Sequence, residues 1–268
     1  MENCRSEMIQ QAISEDELVG QLKHLGIKQG MTLEVHTSFS KLGTVLGGPT
    51  ALNNAIIKAV GQEGNIVMPC QDCFNTEPLF WENPPIDFKL MQKVRDNTPG
   101  YDIHSSGLHQ MGVVVDEFRT RKGVYHSYHP SCGFVAYGKD SKTLMSFQPL
   151  SFPFGDKSPV AKMYETSDSY TLLIGCDYDK CTSWHYGEYL SNCRGIVLNG
   201  GSVKKDGKSI WKKYLDIELD SSEFIEIGQA LEKSKLVRIG RLQDATCKLF
   251  KMKEAIDFVS EYLRRKYE

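Results

Sequence analysis

The stretch with the densest chemistry runs from Leu173 to Glu188: Leu173-Ile174-Gly175-Cys176-Asp177-Tyr178-Asp179-Lys180-Cys181-Thr182-Ser183-Trp184-His185-Tyr186-Gly187-Glu188. Thr182, His185 and Glu188 are spaced by three, so on a helix neighbours in that set share one side. With Thr182 as N-cap, His185 falls in the first turn, where the positive helix end disfavours imidazolium. A neutral imidazole one turn from a carboxylate is what a general base near neutral pH needs. Asp179, in the turn before the helix, is a second carboxylate for the same ring. The competing reading is a hydrogen-bonded structural histidine beside a solvated glutamate. A Cys-His acyl-enzyme through Cys181 or Cys176 is a rival chemistry.

These residues need a scaffold, and the chain supplies an α/β one. Residues 170–174 read as an apolar strand that leaves through a glycine turn into the helix, the place where open α/β sheets collect ligands. Upstream, Ser14-Glu15-Asp16-Glu17 is a capping box for a helix ended by Gly26. A strand at 32–35 then runs into His36-Thr37-Ser38-Phe39-Ser40-Lys41-Leu42-Gly43, and on through Gly47-Gly48 to a helix with Pro49 in its first turn. A loop of hydroxyls and glycines ending at a helix start offers free N–H groups to an anion. A strand at 66–68 completes a βαβ unit with a parallel pair. Residues 69–107 are irregular, as in a lid or substrate wall. Asp72, Trp81 and Glu82 lie there and, with Asp177, are the candidates for gripping an amine or sugar.

Further on, helices are expected over 111–119, 139–147 and from Pro159 after the Ser158 cap, with a strand over 133–137. His126 and His129 read as turn histidines rather than metal ligands. Asn199-Gly200-Gly201 and Asp206-Gly207 are hairpin signals for an antiparallel insert near 196–219, whose lysines suit an exposed edge. A helix over 222–232, strands over 236–239 and 245–250, and an amphipathic helix from 252 to about 265 close the chain.

The totals fit one domain over 1–268: 40% hydrophobic and 25% charged residues exclude a disordered chain, and a net charge of -2 gives no support for nucleic-acid binding. No apolar run is long enough for a membrane span, and the first residues lack a signal-peptide core. The eight cysteines (4, 70, 73, 132, 176, 181, 193 and 247) include Cys70-Gln-Asp-Cys73, but no second CxxC or CxxH completes a zinc set. No metal, no membrane and a cytoplasmic location with free thiols are therefore expected.

Four blocks give the chain a likeness. They are 35–43 with Gly47-Gly48; Gly64-Asn65-Ile66-Val67-Met68-Pro69; His129-Pro130-Ser131 through Phe154-Gly155-Asp156-Lys157-Ser158-Pro159; and Leu172-Leu173-Ile174-Gly175 through Asp179, Thr182-Ser183, His185 and Glu188. In this order and spacing the chain resembles the aminoglycoside 3-N-acetyltransferases, acetyl-CoA-dependent antibiotic-resistance enzymes. The resemblance implies a three-layer α/β/α sandwich around a mixed, mostly parallel sheet, with acetyl-CoA as cosubstrate and an amine acceptor meeting in a cleft. It also implies His185 as catalytic base with Glu188, Asp179 and Thr182 around it, and CoA contacts from Ser38, Ser40, Gly43, Gly47 and Gly48. Ser106 falls near another CoA-contacting segment, although Ser106-Gly107-Leu108 departs from the family's pattern there. Lys180, Cys181, Trp184 and Tyr186 also depart from it, beside the expected acceptor site. The expected reaction is acetyl transfer to an aminoglycoside or related amino sugar. The alternatives are acylation of a surface-glycan or secondary-metabolite amino sugar and a non-catalytic CoA- or sugar-binding protein. A homodimer is compatible with the resemblance.

Overall fold

Alternating apolar strands and amphipathic helices bury the central strands on both faces, here around one seven-stranded sheet. A computed structural model describes residue 9 and residues 11–82, 84–107 and 111–268; Cys4 and Leu108 lie outside the described residues. Ser14 and Glu17 close the expected capping box on α1 (Glu15–Leu25), and Gly26 ends it. β1 (Thr32–Thr37), α2 (Gly48–Val60) and β2 (Asn65–Pro69) form the βαβ unit, with β1 and β2 parallel. Among its described residues the wall segment 70–107 holds one short α-helix, α3 (Met91–Asn97), and 3-10 turns at Pro78–Phe80 and Phe88–Leu90. α4 (Val113–Arg119), β3 (Tyr125–His126), β4 (Phe134–Gly138), α5 (Ser141–Met145) and α6 (Pro159–Tyr164) lead to β5 (Ser169–Ile174). Then come α7 (Trp184–Ser191), the hairpin β6 (Ile196–Lys205) and β7 (Lys208–Ile217), α8 (Phe224–Lys233), β8 (Val237–Leu242), β9 (Ala245–Lys251) and α9 (Met252–Tyr267).

The sheet order is β3-β4-β2-β1-β5-β9-β8. It is mixed, but only the β1–β2 and β1–β5 pairs are parallel, so the expectation of a mostly parallel sheet is corrected. The short hairpin β8–β9 and the return of β4 beside β2 make both flanks antiparallel. The insert forms a separate two-stranded sheet as expected. Asn199-Gly200-Gly201 lies within β6 rather than at a turn, because the hairpin reverses at Asp206-Gly207 alone. Both glycines there admit close packing: Gly200 against the Trp211 ring, and Gly201 against Pro130 and the Asn75 backbone.

Two cores sandwich the sheet. On one face Leu33, Val35, Ile66 and Leu172 pack with Leu18, Leu22, Leu52, Ile56 and Phe118 of α1, α2 and α4. On the other, Val67, Leu173 and Phe250 pack with Val160, Trp184, Phe224, Ile256 and Val259 of α6, α7, α8 and α9. α7 is pressed against α9 at Gly187, where an added Cβ would lie 2.7 Å from Val259. The turn before α7 is pinned similarly, since a Cβ on Gly228 of α8 would meet the Tyr178 ring at 1.9 Å. Tyr178 in turn stacks on Trp184 with ring centroids 5.0 Å apart. Trp184 is wholly buried and Tyr186 nearly so, which makes both core residues rather than acceptor-site bulk.

Candidate active site

β5 ends in the centre of the sheet, and its turn delivers α7 with His185 in the first turn. Ser183, not Thr182, occupies the cap position; its backbone is helical and it makes no side-chain cap bond. Its hydroxyl is instead engaged with Thr171 and Cys181. Thr182 contributes through its carbonyl, which accepts the His185 N–H at 3.1 Å.

His185 Nδ1 lies 2.5 Å from Glu188 Oε2, one turn on. Glu188 has no solvent exposure, whereas the His185 side chain keeps 18 %. A carboxylate so buried is stable only if its lone pairs are matched. Arg194 Nε donates to Glu188 Oε1 at 2.8 Å, and the Asp220 N–H donates to the same oxygen at 3.1 Å. Arg194 also donates to Glu223 at 2.9 Å. Burial alone would lower the Arg194 guanidinium, but Glu188 and Glu223 outweigh it and keep it firmly protonated. A carboxylate acceptor in this contact calls for the hydrogen on Nδ1, which turns Nε2 away from Glu188. The ring is held in plane between Phe154 (centroids 5.5 Å apart, 26° between planes) and Phe224 (5.1 Å, 49°).

His185 lines a cavity of about 1050 Å³, ample for a drug-sized ligand. Thr182, Asp177, Asp179 and Lys180 line it from the β5–α7 turn, Ser38 and Ser40 from the loop after β1, and Gln71, Cys73 and Val113 from the opposite wall. Asp179 pairs with Lys180 at 2.8 Å, so the carboxylate that orients the ring is Glu188. Asp177 caps the turn and pairs with Lys248 at 2.6 Å; burial pushes its carboxyl up, but Lys248 and the Tyr178 N–H prevail and hold it low.

Other expected site residues fall elsewhere. Gly43 packs against Asp244 and Gln243, Gly47 and Gly48 open α2, and none of the three forms part of the cavity wall. Ser106 is off the wall too, its hydroxyl accepting the Asp102 N–H and its carbonyl an Arg119 N–H. Trp81 donates to the Thr76 hydroxyl, Glu82 is exposed, and Asp72 accepts the Phe74 N–H, all outside the wall. His129 is a structural histidine: Nε2 donates to the Leu150 carbonyl, and Nδ1 accepts two backbone N–H groups. The thiols are poor nucleophiles, since burial, with nearby carboxylates, pushes Cys176 up to about 12 and Cys181 well above its ordinary value.

Arg194 and the Phe154–Phe224 bracket went unassigned in the sequence. Arg194 sits six residues past Glu188 and beyond the helix, where no periodicity links them. Phe224 arrives from α8, so only tertiary structure brings it to the ring.

Residues 35–264 match the family model described as aminoglycoside 3-N-acetyltransferase, and the chain belongs to that family of N-acetyltransferases. It is 38% identical over 253 residues, 94% of this chain and 91% of its relative, to the SPbeta prophage-derived aminoglycoside N(3')-acetyltransferase-like protein YokD of Bacillus subtilis strain 168. The crystal structure of that protein superposes with a TM-score of 0.88 at 36% identity, covering 94% of this chain and 98% of the other. Aminoglycoside N(3)-acetyltransferase VIII of Streptomyces fradiae is 28% identical, covering 96% of this chain and 95% of that protein. The fold is also shared with a structure described as AAC-IIIb binary with CoASH, at a TM-score of 0.84 and 22% identity over 96% of this chain and 98% of that one. No helix among the described residues is long and apolar enough to cross a membrane.

Proposed function

We propose that this enzyme transfers an acetyl group from acetyl-CoA to a primary amine of an aminoglycoside or related amino sugar, with His185 as general base. The observation that carries the reading is the His185–Glu188 pair, buried on the carboxylate side and open to the cavity on the imidazole side. The family and the CoASH complex of a protein of the same fold support the donor, and the relatives' names support the acceptor class.

An ammonium has no lone pair, so the acceptor attacks the thioester carbonyl as the free amine, and its nitrogen must shed a proton as the C–N bond forms. Nε2 of His185 takes that proton, while Glu188 stabilises the imidazolium through Nδ1–H. The C–N bond forms, the tetrahedral intermediate collapses, and the C–S bond breaks as the imidazolium returns its proton to the sulfur, so CoA leaves as the thiol and His185 is regenerated. Ser38 and Ser40 are the cavity's hydroxyl donors for the CoA arm, and the Thr182 hydroxyl is the side-chain candidate for the oxyanion. Asp177 and Asp179 give the wall carboxylates that suit a polyamine acceptor, with Lys180 partly offsetting them.

The test is thiol release from acetyl-CoA across a panel of aminoglycosides and simple amino sugars, with His185→Ala beside the wild type. Amine-dependent release that falls about 10²- to 10⁴-fold in the variant is expected. Retention of most of the rate would overturn the role of His185, and no amine-dependent release by the wild type would overturn the reaction.

A further inference from the structure

The strand β1 lies in the middle of the sheet and is buried on both faces, yet it carries Glu34 and His36. Being two apart on a strand, they point to the same face, opposite Leu33 and Val35. That face meets the turn before α7, and Cys181 comes down onto it. One ligand atom each from Glu34, His36 and Cys181 lie within 4.8 Å of one another. Glu34 and Cys181 are at most 1 % exposed, and His36 is 7 % exposed.

The polar accounting of this cluster does not close. Thr171 donates to Glu34 Oε2 at 3.0 Å, but Glu34 Oε1 has no hydrogen-bond partner among the described residues, and neither has His36 Nε2. These two atoms are 3.3 Å apart without the geometry of a hydrogen bond. A proton on Nε2 or a cation between the two atoms would settle that contact, and the third donor beside them, the Cys181 sulfur, favours the cation. Tetrahedral zinc, with Zn–N and Zn–O bonds of about 2.0–2.1 Å, sets its nitrogen and oxygen ligands roughly 3.3 Å apart. The Cys181 sulfur lies 3.4 Å from the Ser183 hydroxyl.

We propose that Glu34, His36 and Cys181 form a binding site for a borderline-soft divalent cation of the zinc type, three-coordinate from the protein and open at its fourth position. This departs from the expectation of no metal, which rested on sequence spacing; the ligands here are 145 residues apart in part and share no motif. A carboxylate, an imidazole and a thiolate are the donors zinc accepts, and a fourth position left to water or substrate is typical of its non-structural sites. His36 is itself part of the cavity wall, as is Thr182 next to Cys181, so the open position faces the same cavity as His185. Binding displaces the Cys181 proton, which leaves as the metal–sulfur bond forms.

The test needs no acetyl-transfer assay and so stands or falls apart from the proposed reaction. Full-length protein, reduced and stripped with chelator, is titrated with Co(II) and then Zn(II). The expected result is one equivalent of Co(II) with the intense visible bands of a tetrahedral site and a thiolate-to-cobalt charge-transfer band, both erased by Zn(II). Cys181→Ser should abolish the charge-transfer band. Glu34→Gln, which keeps its shape and the Thr171 hydrogen bond, should weaken binding by about 10²-fold or more, since even outer-sphere partners are worth 10–100-fold. Cys193→Ser should change neither. A wild type without a stoichiometric thiolate band, or a band that survives Cys181→Ser, overturns the site.

Discussion

Arg194 Nε lies 2.8 Å from Glu188 Oε1, on the far side of the same carboxylate whose other oxygen meets His185 Nδ1. The guanidinium therefore supplies a counter-charge to a carboxylate with no solvent exposure behind the imidazole. Removing it leaves a buried charge without its partner, a change worth roughly 3–5 kcal/mol of stability. Arg194→Ala is expected to lower the denaturation midpoint correspondingly in chemical unfolding. Arg194→Lys should recover only part, because a lysine cannot reach Glu188 and Glu223 together as the planar fork does.

Glu188→Gln probes orientation rather than charge burial. The new amide can donate to Nδ1 and so force the hydrogen onto Nε2, leaving the base unable to accept a proton. Wrong-tautomer effects of this kind are large, and a loss of kcat on the order of 10²-fold or more is expected in the acetyl-CoA assay, with KM for acetyl-CoA little changed. Asp179→Asn should have a far smaller effect on kcat, since Asp179 pairs with Lys180 and not with the ring.

What could be read from the chain followed the range of each interaction. The i,i+3 pair His185–Glu188 was legible because both residues lie on one helix turn, and it appears at 2.5 Å. The capping box at Ser14, the Ser158–Pro159 helix start and the βαβ unit were legible for the same local reason. Arg194, Phe154 and Phe224 were not, because loops and separate elements bring them to the ring. The glycine loop after β1 was read as one ligand-facing surface; only its first part, Ser38 and Ser40, reaches the cavity, while Gly43 turns toward Asp244. The local pattern reveals parallel pairing only in the central βαβ unit; the antiparallel flanks depend on long-range pairing of β4 with β2 and of β9, which carries β8, with β5. A sharper signal was present in Thr32-Leu33-Glu34-Val35-His36-Thr37: polar residues alternating through a central strand, where a buried parallel strand should be uniformly apolar.

The close approach of α8 to the turn before α7 makes Gly228 a test of how the site is held. Gly228→Ala would drive a methyl into the Tyr178 ring, whose stacking on Trp184 fixes the start of the His185 helix. The expected cost is about 1–3 kcal/mol or more, as for other overpacked cores, read as a lowered midpoint in thermal or urea unfolding. Gly195→Ala is the control, since an added Cβ there meets nothing within 4 Å. Gly187→Ala should resemble Gly228→Ala, because Val259 of α9 is in the way.

His129 supplies a pH dependence of known sign. Its burial pushes the imidazole down to about 4, against which the Leu150 carbonyl acts only weakly. In the unfolded chain an ordinary histidine takes up a proton near pH 6.5. Between those values the unfolded state binds more protons than the native one, so stability rises with pH through that window and is lost as pH falls from about 6.5 toward 4. His129→Asn keeps an acceptor for the Ser131 and Cys132 N–H groups but loses the bond to Leu150. At pH 7.5 it should be less stable than the wild type by about 1–3 kcal/mol. That deficit should shrink as the pH is lowered to 5, because the variant has no imidazole to protonate on unfolding. Urea midpoints of the two proteins across that range provide the measurement, and a gap that stays constant or widens would show that His129 is not held neutral in the fold.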